Sequence, residues 1–218
     1  MKSKKSILTD KQKAFLFEFK KYANLASAFY LTGGTALAEY YLQHRLSEDL
    51  DFFSEIKFDL EPVYEFIKKV RSVLQARSVT TDKRNGREIF DFKFINDSLK
   101  VELVHYPYKN LKPLKKISGI LISDEFDIAV NKIFAVFSRN EPKDFVDLYY
   151  LLKKFPINEL LDGVEKKFDM KLGRFSLGNE FYRARNITNL PKMIKPLTHK
   201  QLADYFIEEA RKLGAIIF

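Results

Sequence analysis

The hydrophobic period of this chain changes along its length, and that limits its fold more than any other feature. Residues 78–81, 88–95 and 99–106 are short runs in which apolar and polar residues alternate. Asn85-Gly86 and Asn96-Asp97 stand between the runs as turn residues. Period two broken by tight turns predicts a β-meander. From Asp124 to the end, apolar residues return at helical spacing, with Pro142, Pro156, Pro191 and Pro196 as punctuation. A meander must join a larger sheet to bury its apolar face, and the helical tail must pack on itself or on that sheet.

The first part of the chain mixes both periods. Thr9 or Asp10 caps a helix over residues 10–24. Residues 28–32 form a short apolar run that reads as a buried strand and ends at Gly33-Gly34. Residues 35–44 read as a helix, 50–53 as a second strand and 60–77 as an amphipathic helix through Val63, Phe66, Ile67, Val70 and Leu74. After the meander, 117–122 adds a strand. Helices follow to about residues 139 and 154, and Thr198 with Gln201 makes a capping-box match for the last one, 198–213. The expectation is an α+β chain: a mixed β-sheet with flanking helices over residues 1–122, then a helical bundle over 123–218.

Cysteine is absent, which removes disulfides, zinc–thiolate sites, iron–sulfur clusters and cysteine nucleophiles together. No apolar run approaches the ~18–20 residues of a membrane span. The basic start, MKSKKSILTDKQK, leads into no apolar signal core, so a cytoplasmic protein without a membrane partner is expected. Net charge is +9, and residues 61–116 hold 13 basic against 7 acidic residues. A basic segment attracts polyanions, RNA among them; a solvated lysine-rich surface is the other reading. His44, His105 and His199 show no ligand spacing; His44 and His105 read as local hydrogen-bonding residues.

Residues 33–53, GGTALAEYYLQHRLSEDLDFF, carry the chemistry. Two glycines between a strand and a helix let a ligand approach the backbone, and the helix start offers unpaired N–H groups to a phosphate. Asp49 and Asp51, two apart on a strand, share one face. Two carboxylates so close repel unless a cation lies between them, and hard oxygen ligands suit Mg2+ or Mn2+. A phosphate cradle beside a carboxylate pair points to a metal-bound nucleoside triphosphate. Two-metal transfer needs a third acid. Glu102, within Lys100-Val101-Glu102-Leu103-Val104, is one candidate, and Asp91, within Phe90-Asp91-Phe92, competes with it. Period alone does not choose; the more uniformly aliphatic flanks of Glu102 favour it.

These residues resemble the nucleotidyltransferase superfamily, with its small-residue turn, helix, Asp-x-Asp strand and later strand acid. More narrowly, GGTALA at 33–38, HRLSEDLDFF at 44–53, KVELV at 100–104 and KIFAVFSRNEPKDFVDLYYLL at 132–152 are similar to the AbiEii/AbiGii toxin branch, related to the MenT toxins. The resemblance implies a nucleotidyltransferase-like sheet and transfer of a nucleoside monophosphate from an NTP to an acceptor hydroxyl. It implies Asp49, Asp51 and Glu102 as catalytic metal ligands, and Gly33, Gly34 and Thr35 as the nucleotide turn. Thr35 must then supply the hydroxyl that many members take from a serine. Arg45 and Ser47 either order the turn or touch phosphate. Lys132 and Arg139, seven apart on one helix face, are placed to reach a triphosphate. Asp144 and Asp147 either fix those cations, contact base or ribose, or form an interhelix salt-bridge network. The branch further implies a toxin of a toxin–antitoxin or abortive-infection pair, with tRNA as an acceptor and an antitoxin partner. The alternatives are a degenerate nucleotide- or partner-binding module and a small-molecule nucleotidyltransferase.

Overall fold

The alternating runs become three antiparallel strands, β3 (Ser78–Arg84), β4 (Arg87–Lys93) and β5 (Ser98–His105). They form one side of a seven-stranded mixed sheet of order β3-β4-β5-β2-β1-β7-β6, completed by β1 (Tyr30–Thr32), β2 (Asp49–Ser54), β6 (Lys115–Ile117) and β7 (Ile120–Ile122). This computed structural model describes residues 5–84, 86–139 and 141–216. Asn85 of the expected Asn-Gly turn, and the first four residues of the basic start, lie outside the described residues. β2 runs parallel to β5 and antiparallel to β1, and β1 runs parallel to β7. The chain divides into two compact units. The first comprises the sequence through Tyr41 together with Ser47–Lys109 and Pro113–Asp124; the second comprises Leu42–Leu46, Asn110–Lys112 and the sequence from Glu125 on.

In the first unit, one face of the sheet is aromatic. Leu50 and Phe52 of β2 share it with Val101 and Leu103 of β5 and with Phe90 and Phe92 of β4, all buried. Helices α1 (Asp10–Phe19) and α4 (Leu60–Val73) cover it. Phe19 stacks 4.3 Å from Phe52, and Phe15 lies 5.4 Å from Phe66 and 5.9 Å from Phe92. Each such ring contributes about 1.5–3 kcal/mol by leaving water. Thr9 caps α1 in a full capping box with Gln12, whose buried side chain also donates to the Ser47 carbonyl at 2.9 Å. The helix expected over residues 10–24 stops at Phe19; a turn follows, and α2 spans Ala23–Ala28. That turn sets the Tyr22 ring edge-on to Phe66 at 4.9 Å. The helix expected over 35–44 begins earlier, as α3 (Gly33–Ala36), and widens into a π-helical stretch, Leu37–Leu42. The single strand expected at 117–122 is a hairpin. Ser118 and Gly119 both take positive φ between β6 and β7, as a type I′ turn requires.

The second unit is helical: α5 (Glu125–Ser138), α6 (Pro142–Leu151), α7 (Ile157–Phe168), α8 (Arg174–Tyr182) and α9 (His199–Lys212). Pro142 occupies the first turn of α6, and Thr198 with Gln201 closes the expected capping box on α9. Phe206 of α9 packs edge-on to Phe145 and Phe181 at 5.2 and 5.0 Å. Two short segments are fastened into this unit. Ile194 and Lys195 donate their amides to the His44 carbonyl. Asp127 accepts from the Leu111 and Lys112 amides, both at 2.9 Å, and from the buried ammonium of Lys167 at 2.7 Å. No helix among the described residues is long and apolar enough to cross a membrane.

Candidate active site

The sheet face opposite the aromatic core carries the acids. β1 ends at Thr32, and Gly33 takes φ of +69° to start α3. A Cβ built on Gly33 would lie 2.3 Å from Asp51 Oδ2, so only glycine allows this carboxylate so close to the turn. Gly34 and Thr35 are buried behind it. The Thr35 hydroxyl, expected at a phosphate, donates to the Asp49 carbonyl and ties α3 to β2. Gly33→Ala is expected to move Asp51 and to cost about 1 kcal/mol or more from the left-handed backbone alone. A lower melting temperature with reduced turnover is the outcome; a variant unchanged in both would detach Gly33 from the site.

Asp49 and Asp51 both leave β2 on the acid face, while Leu50, Phe52 and Ser54 are buried on the other. Register places their neighbours. Asp51 pairs with Thr32 on one side and with Glu102 on the other. Asp49 pairs with Lys100, and Lys100 pairs with Asp91. Neighbouring strands lie about 4.8 Å apart, so Glu102 is the acid beside Asp51, and Asp91 stands one strand further out, beyond Lys100.

Two cations hold Glu102. Lys100 Nζ is 2.5 Å from one carboxylate oxygen, and Arg87 Nη1 is 3.1 Å from the other. Burial pushes the Glu102 carboxyl up, but the hydrogen bond and charge of Lys100, with Arg87 behind them, outweigh it and hold the group below its ordinary value. Burial likewise pulls Lys100 down, and Glu102, Asp49 and Asp51 together keep its ammonium above the usual lysine range. Among the described residues no three acids, histidines or cysteines gather as a complete metal shell. The Asp49–Asp51 pair does fit Mg2+ or Mn2+ chemically: its donors are all oxygen, and Mg2+ commonly takes only one or two carboxylates, with substrate phosphates and water filling the rest.

The remaining candidates gather in the second unit. Lys132 of α5 is buried, its Nζ 2.6 Å from Asp144 Oδ1 and 2.6 Å from Asp147 Oδ2, both on α6. Arg139 Nε meets Asp144 at 2.9 Å. Arg45 grips Asp147 with two nitrogens, at 2.7 and 2.9 Å, and His44 Nε2 lies 2.7 Å from the same carboxylate. Burial raises the Asp147 carboxyl, but the charges of Arg45 and Lys132 dominate and hold it well below its usual range. Burial also lowers His44, beyond what Asp147 restores. In sequence Lys132 stands as the one basic residue of an apolar-acidic run; in the fold two aspartates from the next helix balance it. Ser47 is in the first unit and offers its carbonyl to Gln12. The candidates thus form two groups, one in each unit. Sequence reasoning passed over Lys100 and Arg87. Strand alternation puts Lys100 on the face of Glu102 and was readable; Arg87 reaches Glu102 through pairing across the β4–β5 turn.

A strand–glycine turn–helix beside an Asp-x-Asp strand and a neighbouring strand acid defines a nucleotidyltransferase. The profile described as "Nucleotidyl transferase AbiEii toxin, Type IV TA system" matches residues 14–213. The chain therefore belongs to the AbiEii nucleotidyltransferase toxin family. It is 34% identical over 153 residues to an uncharacterised protein of Aquifex aeolicus, a match covering 66% of this chain and 68% of that one. Its fold is similar to JHP933 from Helicobacter pylori, with a TM-score of 0.60 and 21% identity over 94% of this chain and 90% of that one. It is also similar to MenT4, a nucleotidyltransferase toxin from Mycobacterium tuberculosis, with a TM-score of 0.55 and 12% identity over 93% and 85% of the two chains.

Proposed function

We propose that this nucleotidyltransferase is metal-dependent and transfers a nucleoside monophosphate from an NTP to an RNA hydroxyl, with tRNA as the acceptor class, as the toxin of a pair with a cognate antitoxin. The observation that carries the reading is the row Thr32–Asp51–Glu102, set against the Gly33 turn. Asp49 and Asp51 would hold Mg2+ or Mn2+, which supplies charge neutralisation for the triphosphate and the leaving pyrophosphate. Gly33 keeps the turn bare of side chain, so the backbone can face phosphate oxygens. The acceptor oxygen attacks the α-phosphorus, the bond to the β-phosphate oxygen breaks, and pyrophosphate leaves. Glu102, kept ionised by Lys100 and Arg87, is the group to receive the acceptor's proton or to join the metal shell. In the second unit, the half-exposed Arg139 guanidinium has surface to offer an anion, and Asp144 and Asp147 position Arg139, Lys132 and Arg45. Exposed Lys68, Lys69 and Arg71 near α4, with Arg77, Lys83 and Arg84 at the sheet edge, suit an RNA backbone.

Incubation with total RNA and each α-labelled triphosphate in turn tests the reading. Label entering RNA, with pyrophosphate released and both lost in Asp49→Ala, is the expected result. Equal labelling in the variant would remove the carboxylate pair from the chemistry; labelling of small molecules alone would remove the RNA acceptor.

A further inference from the structure

Lys100 lies two residues before Glu102 on β5 and is the register partner of Asp49 on β2 and of Asp91 on β4, so its ammonium shares one sheet face with Glu102, Asp49, Asp51 and Asp91. It touches Glu102 at 2.5 Å, and Arg87 takes the other oxygen at 3.1 Å. Both oxygens of Glu102 are thus engaged, and among the described residues no three acids are grouped so as to hold a metal ion. We propose that Lys100 is a positioning residue: a resident counter-cation that engages Glu102 in the nucleotide-free protein and so keeps the third carboxylate out of the metal shell until a metal–triphosphate complex arrives. The inference rests on the metal-dependent reading of Asp49 and Asp51 given above.

The physical basis is competition between cations. An ammonium and a divalent ion on the same carboxylates repel each other, and each weakens the hold of the other. A triphosphate reverses the balance, because its oxygens offer the lysine a second anionic partner while the ion takes up Glu102. Arg87, whose Nη1 is on the other oxygen, leaves a positive charge beside Glu102 when the ammonium moves away.

The test is a titration of the nucleotide-free full-length chain with Mn2+ alone, free ion being read by electron paramagnetic resonance. Lys100→Met is expected to bind Mn2+ about tenfold more tightly than the wild type or better, while Lys100→Arg, which keeps the charge, stays within about threefold of it. The double variant Lys100→Met/Glu102→Gln should lose the gain, because the freed carboxylate is what the ion acquires. Lys13→Met, which removes the same charge from α1 on the opposite sheet face, should leave affinity unchanged. Lys100 is more than a third exposed and methionine keeps its straight chain, so the fold is retained. Wild-type affinity in Lys100→Met, or a gain that survives in the double variant, would overturn the assignment. If that happens while Asp51→Asn still loses Mn2+, the metal reading stands and Lys100 alone falls. Absence of any Mn2+ binding that Asp51→Asn weakens would bring down both.

Discussion

Asp51→Asn is expected to lower turnover by about a hundred- to a thousandfold or more, in line with loss of one preorganised electrostatic group, with the fold intact. Asparagine keeps the shape that fits against Gly33 and beside Glu102, so the β1–β2–β5 register has no reason to change. What disappears is one of two anions on a single face of β2. Without metal that anion is a source of like-charge repulsion, so the variant should melt at the same temperature as the wild type or slightly above it. Pyrophosphate release in Mg2+, with thermal melting of the metal-free proteins, reads both effects. Near-normal turnover would refute the assignment, and a collapsed melting temperature would make Asp51 a folding residue.

Asp147→Ala should instead be a stability variant, by about 3–5 kcal/mol, because it leaves buried cations without their partner. Asp147 is fully buried and faces Arg45, Lys132 and His44 at once. The effect is tied to pH, with a definite sign. The folded carboxyls of Asp144 and Asp147 are depressed, so their contribution is full above the ordinary aspartate value of about 3.9 and fades as pH falls through the folded values. Lys132 is shifted upward by the same contacts, so the network also weakens when pH rises through its folded value, above about 10.4. Denaturant unfolding at neutral pH should show the full difference between wild type and variant, and the difference should shrink as pH is taken below about 3.9. A gap independent of pH would mean that lost packing, rather than lost charge pairing, sets the cost.

Local chemistry was enough to read several parts of this protein. The capping box of Thr198 with Gln201 appears where the residues predict it, and Thr9, one of two cap candidates for the first helix, caps it and closes a second box with Gln12. Alternation placed Asp49 and Asp51 on one face, because side chains on a strand turn over with a period of two whatever the strand pairs with. The glycine turn could be read as a turn; that Gly33 is needed for the approach of Asp51 could not, since the contact spans eighteen positions of sequence. The 117–122 run concealed its reversal because the apolar residues continue on both sides of Ser118-Gly119.

The choices that matter most for the site were tertiary. Glu102 and Asp91 sit in strands of the same alternating texture, and only the parallel pairing of β2 with β5 puts Glu102 beside Asp51 and leaves Asp91 behind Lys100. Lys132 looks isolated along the chain, yet packing of α6 against α5 brings two aspartates to it from twelve and fifteen residues away. In both cases the residue types were plain in the sequence. Their partners were not, because strand register and helix packing are settled by burying apolar faces over the whole fold, and the charged groups take the neighbours that this burial leaves them.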